Sequence, residues 1–436
     1  VVKKKLTLAG LVAATYFMVA GGPYGLEELV QKAGYQTALL LLVAIPLLWS
    51  LPTALMIGEL ASAIPDEGGY YVWVKRAMGP FWGFQEAWLS LCASIFDMAI
   101  YPTLLLLYLE RLWPAASQGT VHLALGVAVL VACAALNLRG SRAVGRASEV
   151  MAVLLLGPFI VLAILAFTGT TGASPVRAAG PGGDFMGGAL IAMWNFMGWD
   201  NASTVAGEVE RPQRTYPLAM LIAVSLVALT YLLPVAAAAH AGLDPSGWST
   251  GSWVTVGDIM GGRFLALAMV VGGMLCGFGM ANALVMSYSR LPMVLALDGR
   301  LPRILARQLP NSGAPWASIL VLTVAWSVAL GLGLDRLIEL DVLLYGLSLL
   351  LEFAALAILR VREPGLPRPF RVPGGLSVAI LLGAGPAALL ALAFARERHE
   401  HPGQLGALTL ALALAGAGPL LYALVTRARA RAKRRT

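Results

Sequence analysis

MVAGGPYGLEELV, residues 18–30, falls inside the first apolar segment long enough to cross a bilayer, yet it is a poor helix. Glycine costs about 1 kcal/mol relative to alanine in a helix interior, and proline about 3 kcal/mol. Gly21, Gly22, Pro23 and Gly25 together therefore break the segment near its middle. In lipid a broken helix leaves N–H and C=O groups unpaired, which is tolerated only where they line a cavity or meet a ligand. The competing use of such glycines is close helix packing.

The same peculiarity returns in MWNFMGWDNASTVAGEV, residues 193–209, where Gly198, Trp199, Asp200 and Asn201 interrupt apolar sequence. The breaks at Gly21 and Gly198 lie 177 positions apart. Five expected spans occupy each interval, so the second set of five enters the membrane upside down relative to the first. This is the inverted-repeat plan of many secondary transporters. Two breaks at matching positions, one carrying an aspartate, favour a binding site over packing alone.

The composition agrees: of 436 residues, 58% are hydrophobic and only 12% charged, far from the balance of a soluble domain. Apolar runs long enough to span predict an all-α membrane protein with twelve transmembrane helices. The expected spans are 6-32, 37-63, 81-109, 121-138, 147-169, 187-209, 217-239, 263-288, 316-334, 337-359, 376-394 and 405-426. With the N-terminus inside, 24 of the 31 basic residues fall on the cytoplasmic side, so both termini are expected there. The net charge of +8 is thus a matter of topology rather than of nucleic acid, and the basic tail 427-436 is read as solvated or touching anionic lipid. The basic flank of the first span resembles a secretory signal, but eleven more spans follow and it is read as retained. Cys92, Cys133 and Cys276 lie in apolar segments without metal-like spacing and read as core residues.

Several stretches carry a resemblance. GGPYGLEE (21–28), GELASAIPDEGGYYVW (58–73), FDMAIYP (96–102), GWDNASTVAGEVERP (198–212), SRLPMVLALDGRLP (289–302) and LPRPFRVPGG (366–375) resemble the amino acid-polyamine-organocation (APC) transporter superfamily. GGPYGLEE and FDMAIYP are most similar to its polyamine uptake branch, known from plants and protozoa, and to bacterial relatives. The resemblance implies a leucine-transporter-like fold that works by alternating access. Its inverted repeats would be 1-169 and 187-359, with 376-426 holding two appended helices. It also implies that Asp97 binds a substrate ammonium.

Asp97 is the strongest single signal, a carboxylate in LCASIFDMAIYPTLL with no charge for ten positions on either side. Placing it at the bilayer centre costs at least about 2.5 kcal/mol, so it is expected to face a cavity or partner. Tyr101 lies one turn on, its ring available for cation–π contact. Asp200 reads either as an N-cap for the helix after the break or as a second ammonium ligand, with Trp194 and Trp199 as aromatic walls. Gly22 and Tyr24 belong to the unwound turn. Glu27 and Glu28 follow it, favoured by the helix dipole and expected to face an outer vestibule that attracts polycations. Glu208 and Glu59 read as gate or anchoring partners for arginines such as Arg142 or Arg290, and Glu352 as a weaker candidate for proton traffic, with a snorkelling acid near the inner face the favoured reading.

Amino-acid carriers of this fold use free amides at the first break to hold a carboxylate. Here Pro23 removes one donor and no hydroxyl is present, which tilts the site towards multiply charged amines. Lys32 ends the first span and no lysine lies deeper in any span, so the fifth-span lysine of some proton-coupled relatives is missing, and VLLLGPFIVL with Pro158 stands there. His122, His240, His399 and His401 lie at span ends or outside. A coupled proton would travel on a carboxylate, Asp97 first and Asp200 second, whereas sodium is disfavoured because the eighth span lacks a Ser/Thr pair at depth. No cofactor and no metal are expected. The expected function is a secondary transporter importing polyamines such as putrescine or spermidine across the cell membrane. An amino acid transporter, cationic substrates first, is the alternative on the same scaffold. A non-transporting receptor or accessory subunit is the alternative of a different class. Neither H-E-x-x-H nor a phosphate-binding G-x-x-x-x-G-K-[ST] loop occurs in the sequence.

Overall fold

The computed structural model describes residues 5–169, 183–400 and 406–433. Lys3, Lys4, Arg177, His401, Arg434 and Arg435 of the charge pattern lie outside the described residues. The described chain is helical, with one isolated bridge between Leu6 and Val209. In chain order the helices are α1 Leu8–Val19, α2 Glu27–Ile45, α3 Leu51–Ala63, α4 Gly69–Met78, α5 Pro80–Leu109, α6 Gly119–Asn137, α7 Ser141–Thr168 and α8 Phe185–Asn195. A tight 3₁₀ stretch, Trp199–Glu208, leads to α9 Pro212–His240, α10 Ser252–Tyr288, α11 Arg290–Leu297, α12 Trp316–Trp326 and α13 Leu334–Arg362. The chain ends with α14 Gly375–Leu382, α15 Ala384–Glu400 and α16 Ala407–Lys433.

Among the described residues, nine helical stretches are long and apolar enough to cross a membrane. This makes the protein a multi-pass membrane protein, but the count is nine by this measure and not twelve. The difference falls on three expected spans. 6-32 is cut after Val19, 187-209 is cut after Asn195, and 316-334 is a short helix. Expected spans 1 and 2 meet in one run with a backbone bend at Gly34, and a similar bend at Gly262 separates a short helix from 263-288 in α10. Exposed apolar side chains such as Val153, Ile160, Phe264 and Val324 coat the outside, as a hydrocarbon solvent requires.

Ion pairs join segments far apart in the chain. Lys32 pairs with Asp335, Lys75 with Asp298 and Arg76 with Glu363. Arg76 makes two hydrogen bonds to Glu363 and thereby holds that exposed carboxyl below its ordinary pKa.

The two breaks are packed against each other. Gly198 has φ 91°, a left-handed conformation that costs other residues roughly 1–2 kcal/mol. A Cβ there would fall 2.3 Å from the Met18 carbonyl oxygen, at the end of α1. The lower ends are also tied, because Leu6 N–H donates to Glu208 and Glu210 N–H donates to Leu6, at 2.8 and 2.9 Å. The ten-residue 3₁₀ run is far longer than the usual three or four. Neighbours pin it: Tyr216 donates to the Ala202 carbonyl, Gly68 N–H to the Thr204 carbonyl, and Ser203 accepts from Tyr70 N–H.

Gly198→Ala is expected to lower the apparent melting temperature of the purified protein in detergent by several degrees, since it adds strain and a clash at the junction. Gly157→Ala, where nothing lies within 4 Å of the added carbon, is expected to leave it unchanged.

Candidate functional site

Where the breaks meet, they enclose a cavity of about 10 Å³, roughly the room one water needs. The first break contributes Gly21 and Tyr24, and the sixth Trp194, Asn195 and Gly198. Across from them stand Asp97 and Tyr101 of α5, Tyr288 of α10, and Asp341 and Tyr345 of α13. The wall holds two carboxylates, five large aromatic rings and no basic residue. A glycine is required at 21, because a Cβ would strike Cys276 Sγ at 2.2 Å.

Asp97, buried at 4% exposure, is held on both oxygens: Tyr101 donates to Oδ1 and Tyr288 to Oδ2 at 2.9 Å. Both donors are uncharged, so the cavity supplies no counter-cation. Asp341 is equally buried, lies within electrostatic reach of Asp97, and leaves Oδ1 without a hydrogen-bond partner. Sequence reasoning passed over Asp341, although its signal is legible: an acid inside a span, with Tyr345 four residues on, repeats the Asp97 and Tyr101 spacing.

The other expected residues divide. Tyr24 lines the cavity and packs edge-on to Tyr108 and Phe159. Trp194 forms a wall, but Trp199 is fully buried and is not part of the cavity lining. Gly22 faces α7, where a Cβ would meet Leu155 at 2.6 Å, and is likewise not a wall. Asp200 stands behind Tyr345, whose hydroxyl donates to it while accepting from Gly198 N–H at 3.0 Å. The helical turn begins at Trp199 with Gly198 in the cap position, so Asp200 sits in the first turn and is not the cap.

Glu27 does not face a vestibule: it is 0% exposed. Its carboxylate accepts from Gly25 N–H at 2.7 Å, from Gly251 N–H at 3.0 Å and from the Tyr108 hydroxyl, tying the first break to α10 and α5. This consumes a backbone donor of the broken turn that a carboxylate ligand would need. Glu28 is part-exposed and accepts from Thr250, whose neighbours Glu110 and Arg111 border a second, open cavity of about 380 Å³.

Glu208 pairs with Arg290 at 2.8 Å, both buried. Glu59 pairs with neither Arg142 nor Arg290; it binds Arg360 and, at 3.2 Å, Arg368, and accepts from Val372 N–H at 2.8 Å. The LPRPFRVPGG motif is thus a loop folded onto one buried carboxylate. Glu352 does not snorkel: it is completely buried. The three cysteines are free and buried, and among the described residues no cluster could hold a metal.

A membrane protein with a small polar chamber between two broken helices has the form of a carrier of small solutes, and the comparisons with known proteins agree. The family model for amino acid permeases matches residues 11–405. The polyamine transporter RMV1 of Arabidopsis thaliana is 32% identical over 395 residues, 90% of this chain and 80% of the relative. The polyamine transporter PUT1 of Oryza sativa subsp. japonica is 32% identical over 90% of this chain and 74% of its own. The serine/threonine exchanger SteT of Bacillus subtilis (strain 168) is 25% identical over 77% of this chain and 78% of its own. This chain belongs to the amino acid permease family of the APC superfamily, and it is a transporter and not an enzyme.

Glu59→Gln strands two buried guanidinium groups, and breaking a buried pair costs about 3–5 kcal/mol. The expected result is a loss of folded, monodisperse protein by size-exclusion chromatography, whereas removing the exposed Arg76 partner Glu363 shifts stability by less than about 1 kcal/mol.

Proposed function

We propose that this protein is a secondary transporter that imports polyamines such as putrescine or spermidine by alternating access. The observation that carries the reading is the pair Asp97 and Asp341, facing one enclosed aromatic chamber without a cation of their own. An alkylammonium group supplies the missing charge, exchanging its water for carboxylates and for the faces of Tyr101, Trp194 or Tyr288. The relatives named as polyamine transporters support the same substrate class.

The chamber holds about one water, so an amine of several carbons enters only when the walls separate. The hinges are the two unwound turns, where few helical hydrogen bonds oppose rotation. In this reading the arrangement is leucine-transporter-like, with twelve spans, repeats 1-169 and 187-359, and 376-426 appended. The protein sits in the cell membrane with both termini cytoplasmic, as its basic loops favour. Glu208 with Arg290 and Glu59 with Arg360 latch the inner face. Glu28, beside the open cavity at Thr250, attracts the incoming cation.

An inside-negative membrane adds about 2.3 kcal/mol per charge per 100 mV to cation entry. We propose a coupled proton as the second driving force, carried on carboxylates of the core, for which Asp97 and Asp200 are the candidates that position singles out. The family also contains amino acid carriers, and the match to a serine/threonine exchanger favours that second reading. Pro23 and the Glu27 carboxylate weigh against it, since one lacks and the other occupies an amide at the first break.

Asp97→Asn is expected to reduce putrescine uptake in proteoliposomes at least about 30-fold while the protein stays folded, as loss of a buried charge partner costs 2 kcal/mol or more. Asp341→Asn is expected to raise the half-saturation concentration, and Glu28→Gln to do so more weakly. Inhibition of uptake by putrescine and not by arginine or serine checks the substrate class; the reverse order overturns it.

A further inference from the structure

Three turns from the chamber, towards the face with the basic loops, a second tier of acids is buried. Glu86 lies eleven residues before Asp97 on α5, and Glu352 eleven residues after Asp341 on α13. Eleven residues are close to three helical turns, so each helix presents both of its acids on one face, about 16 Å apart. The helices run in opposite directions and place Glu86 near Glu352, as they place Asp97 near Asp341. Asp200, from the 3₁₀ stretch, meets Glu352 and completes the lower tier.

Glu86 and Glu352 are both 0% exposed. Ser90 donates to one oxygen of Glu86 at 2.8 Å; the other oxygen receives no donor, and Glu352 meets only the carboxyl of Asp200. The Tyr70 hydroxyl, fully buried on α4, faces Glu86, Asp200 and Glu352, with the Ser90 hydroxyl as its neighbour. The surrounding elements bring no cation. Lys75 and Arg76 of α4 are bound to Asp298 and Glu363, and Arg360 of α13 to Glu59 of α3. α8 and α14 carry no charged residue, nor do α15 before Arg396 and α16 before Arg427. Arg290 is bound to Glu208 at the end of the 3₁₀ stretch.

Three carboxyl groups in one dry region without a counter-ion must share protons, because mutual repulsion and desolvation both oppose full ionisation. Building on the polyamine reading, we propose that Glu86, Glu352 and Asp200, with Tyr70, form a proton-binding site separate from the amine chamber that carries the coupled proton. Tyr345 connects the two, since it lines the chamber and donates to Asp200. An ammonium seated beside Asp97 and Asp341 brings positive charge to Tyr345 and favours the ionised form of the lower tier. The carboxyl O–H proton, taken from outside water while the carrier is open outward, then leaves to water on the basic-loop side when that side opens, and no other bond changes. Asp97, held by two tyrosine hydroxyls, is left to the amine.

The test uses the full chain in proteoliposomes clamped at zero potential, with a trapped pH dye and labelled putrescine. Wild type is expected to acidify the lumen as putrescine enters, and an inward proton gradient is expected to raise uptake about 5-fold or more. Glu86→Gln and Glu352→Gln are expected to keep putrescine–putrescine exchange, with half-saturation within about 2-fold of wild type. Both are expected to lose amine-driven acidification and the response to the gradient. Variants that still acidify overturn the proposal, and so do variants whose exchange is lost while the folded protein is recovered, which would assign these acids to the amine. Wild-type putrescine uptake without acidification overturns the proton site and leaves the substrate reading standing; no uptake at all overturns the substrate reading itself. Tyr70→Phe retains every acid and is expected to shift the pH profile of net uptake without changing exchange, so an unshifted profile counts against the site even if the glutamine variants fail to fold.

Discussion

Inside hydrocarbon a peptide group without a partner costs several kcal/mol, so an unwound turn survives only when other parts of the protein replace its lost hydrogen bonds. Both broken spans obey this constraint. At the first, Glu27 gathers Gly25 and Gly251 N–H, and Trp253 donates to the Pro23 carbonyl at 2.9 Å. At the second, Tyr345 accepts from Gly198 N–H and Tyr231 donates to the Asn195 carbonyl at 2.8 Å. Apart from Glu27, two residues beyond the first break, the satisfying groups come from other helices: Trp253 from α10, Tyr345 from α13 and Tyr231 from α9. The turns are therefore held by the whole assembly and can change partners when the helices move.

Charge is distributed by the same logic. Acids at the helix ends have arginines, as Glu208 has Arg290 and Glu59 has Arg360 and Arg368. Where an acid faces the chamber or the tier beneath, it meets hydroxyls, backbone amides or another acid, and no basic residue. A buried pair that is complete tends to stay shut, whereas an acid lacking its cation is poised to accept one. Tyrosine suits such a place, since its hydroxyl donates to a carboxylate without neutralising it and its ring offers a face to an ammonium. Tyr101, Tyr288 and Tyr345 all stand beside acids in this way.

Much of this was legible in the residues. The helix breaks at Gly21 and Gly198 were readable because glycine and proline act locally. Asp97 stood out because an isolated charge in an apolar run needs no partner to be noticed. Asp341 and Glu86 did not stand out, since each lies nearer a span end, where an acid ordinarily reaches water, and Glu352 was noticed but read as snorkelling for the same reason. Glu27 misled for the related reason that the first turn of a helix is a normal surface position for an acid. Only the approach of Tyr108 and Gly251, from 81 and 224 residues away, shows that this one is buried.

The sequence by itself determined that the chain lives in a bilayer, where its helices are interrupted, and which branch of transporters it resembles, because hydropathy and backbone propensity are written residue by residue. The tertiary structure alone decided which acids share a space, which receive an arginine and which tryptophan turns inward. Those outcomes depend on the facing of helices far apart in the chain. In a uniformly apolar helix little local patterning tells the lipid side from the core side, so the placement of each acid was settled only when α5, α13 and the two broken spans packed together.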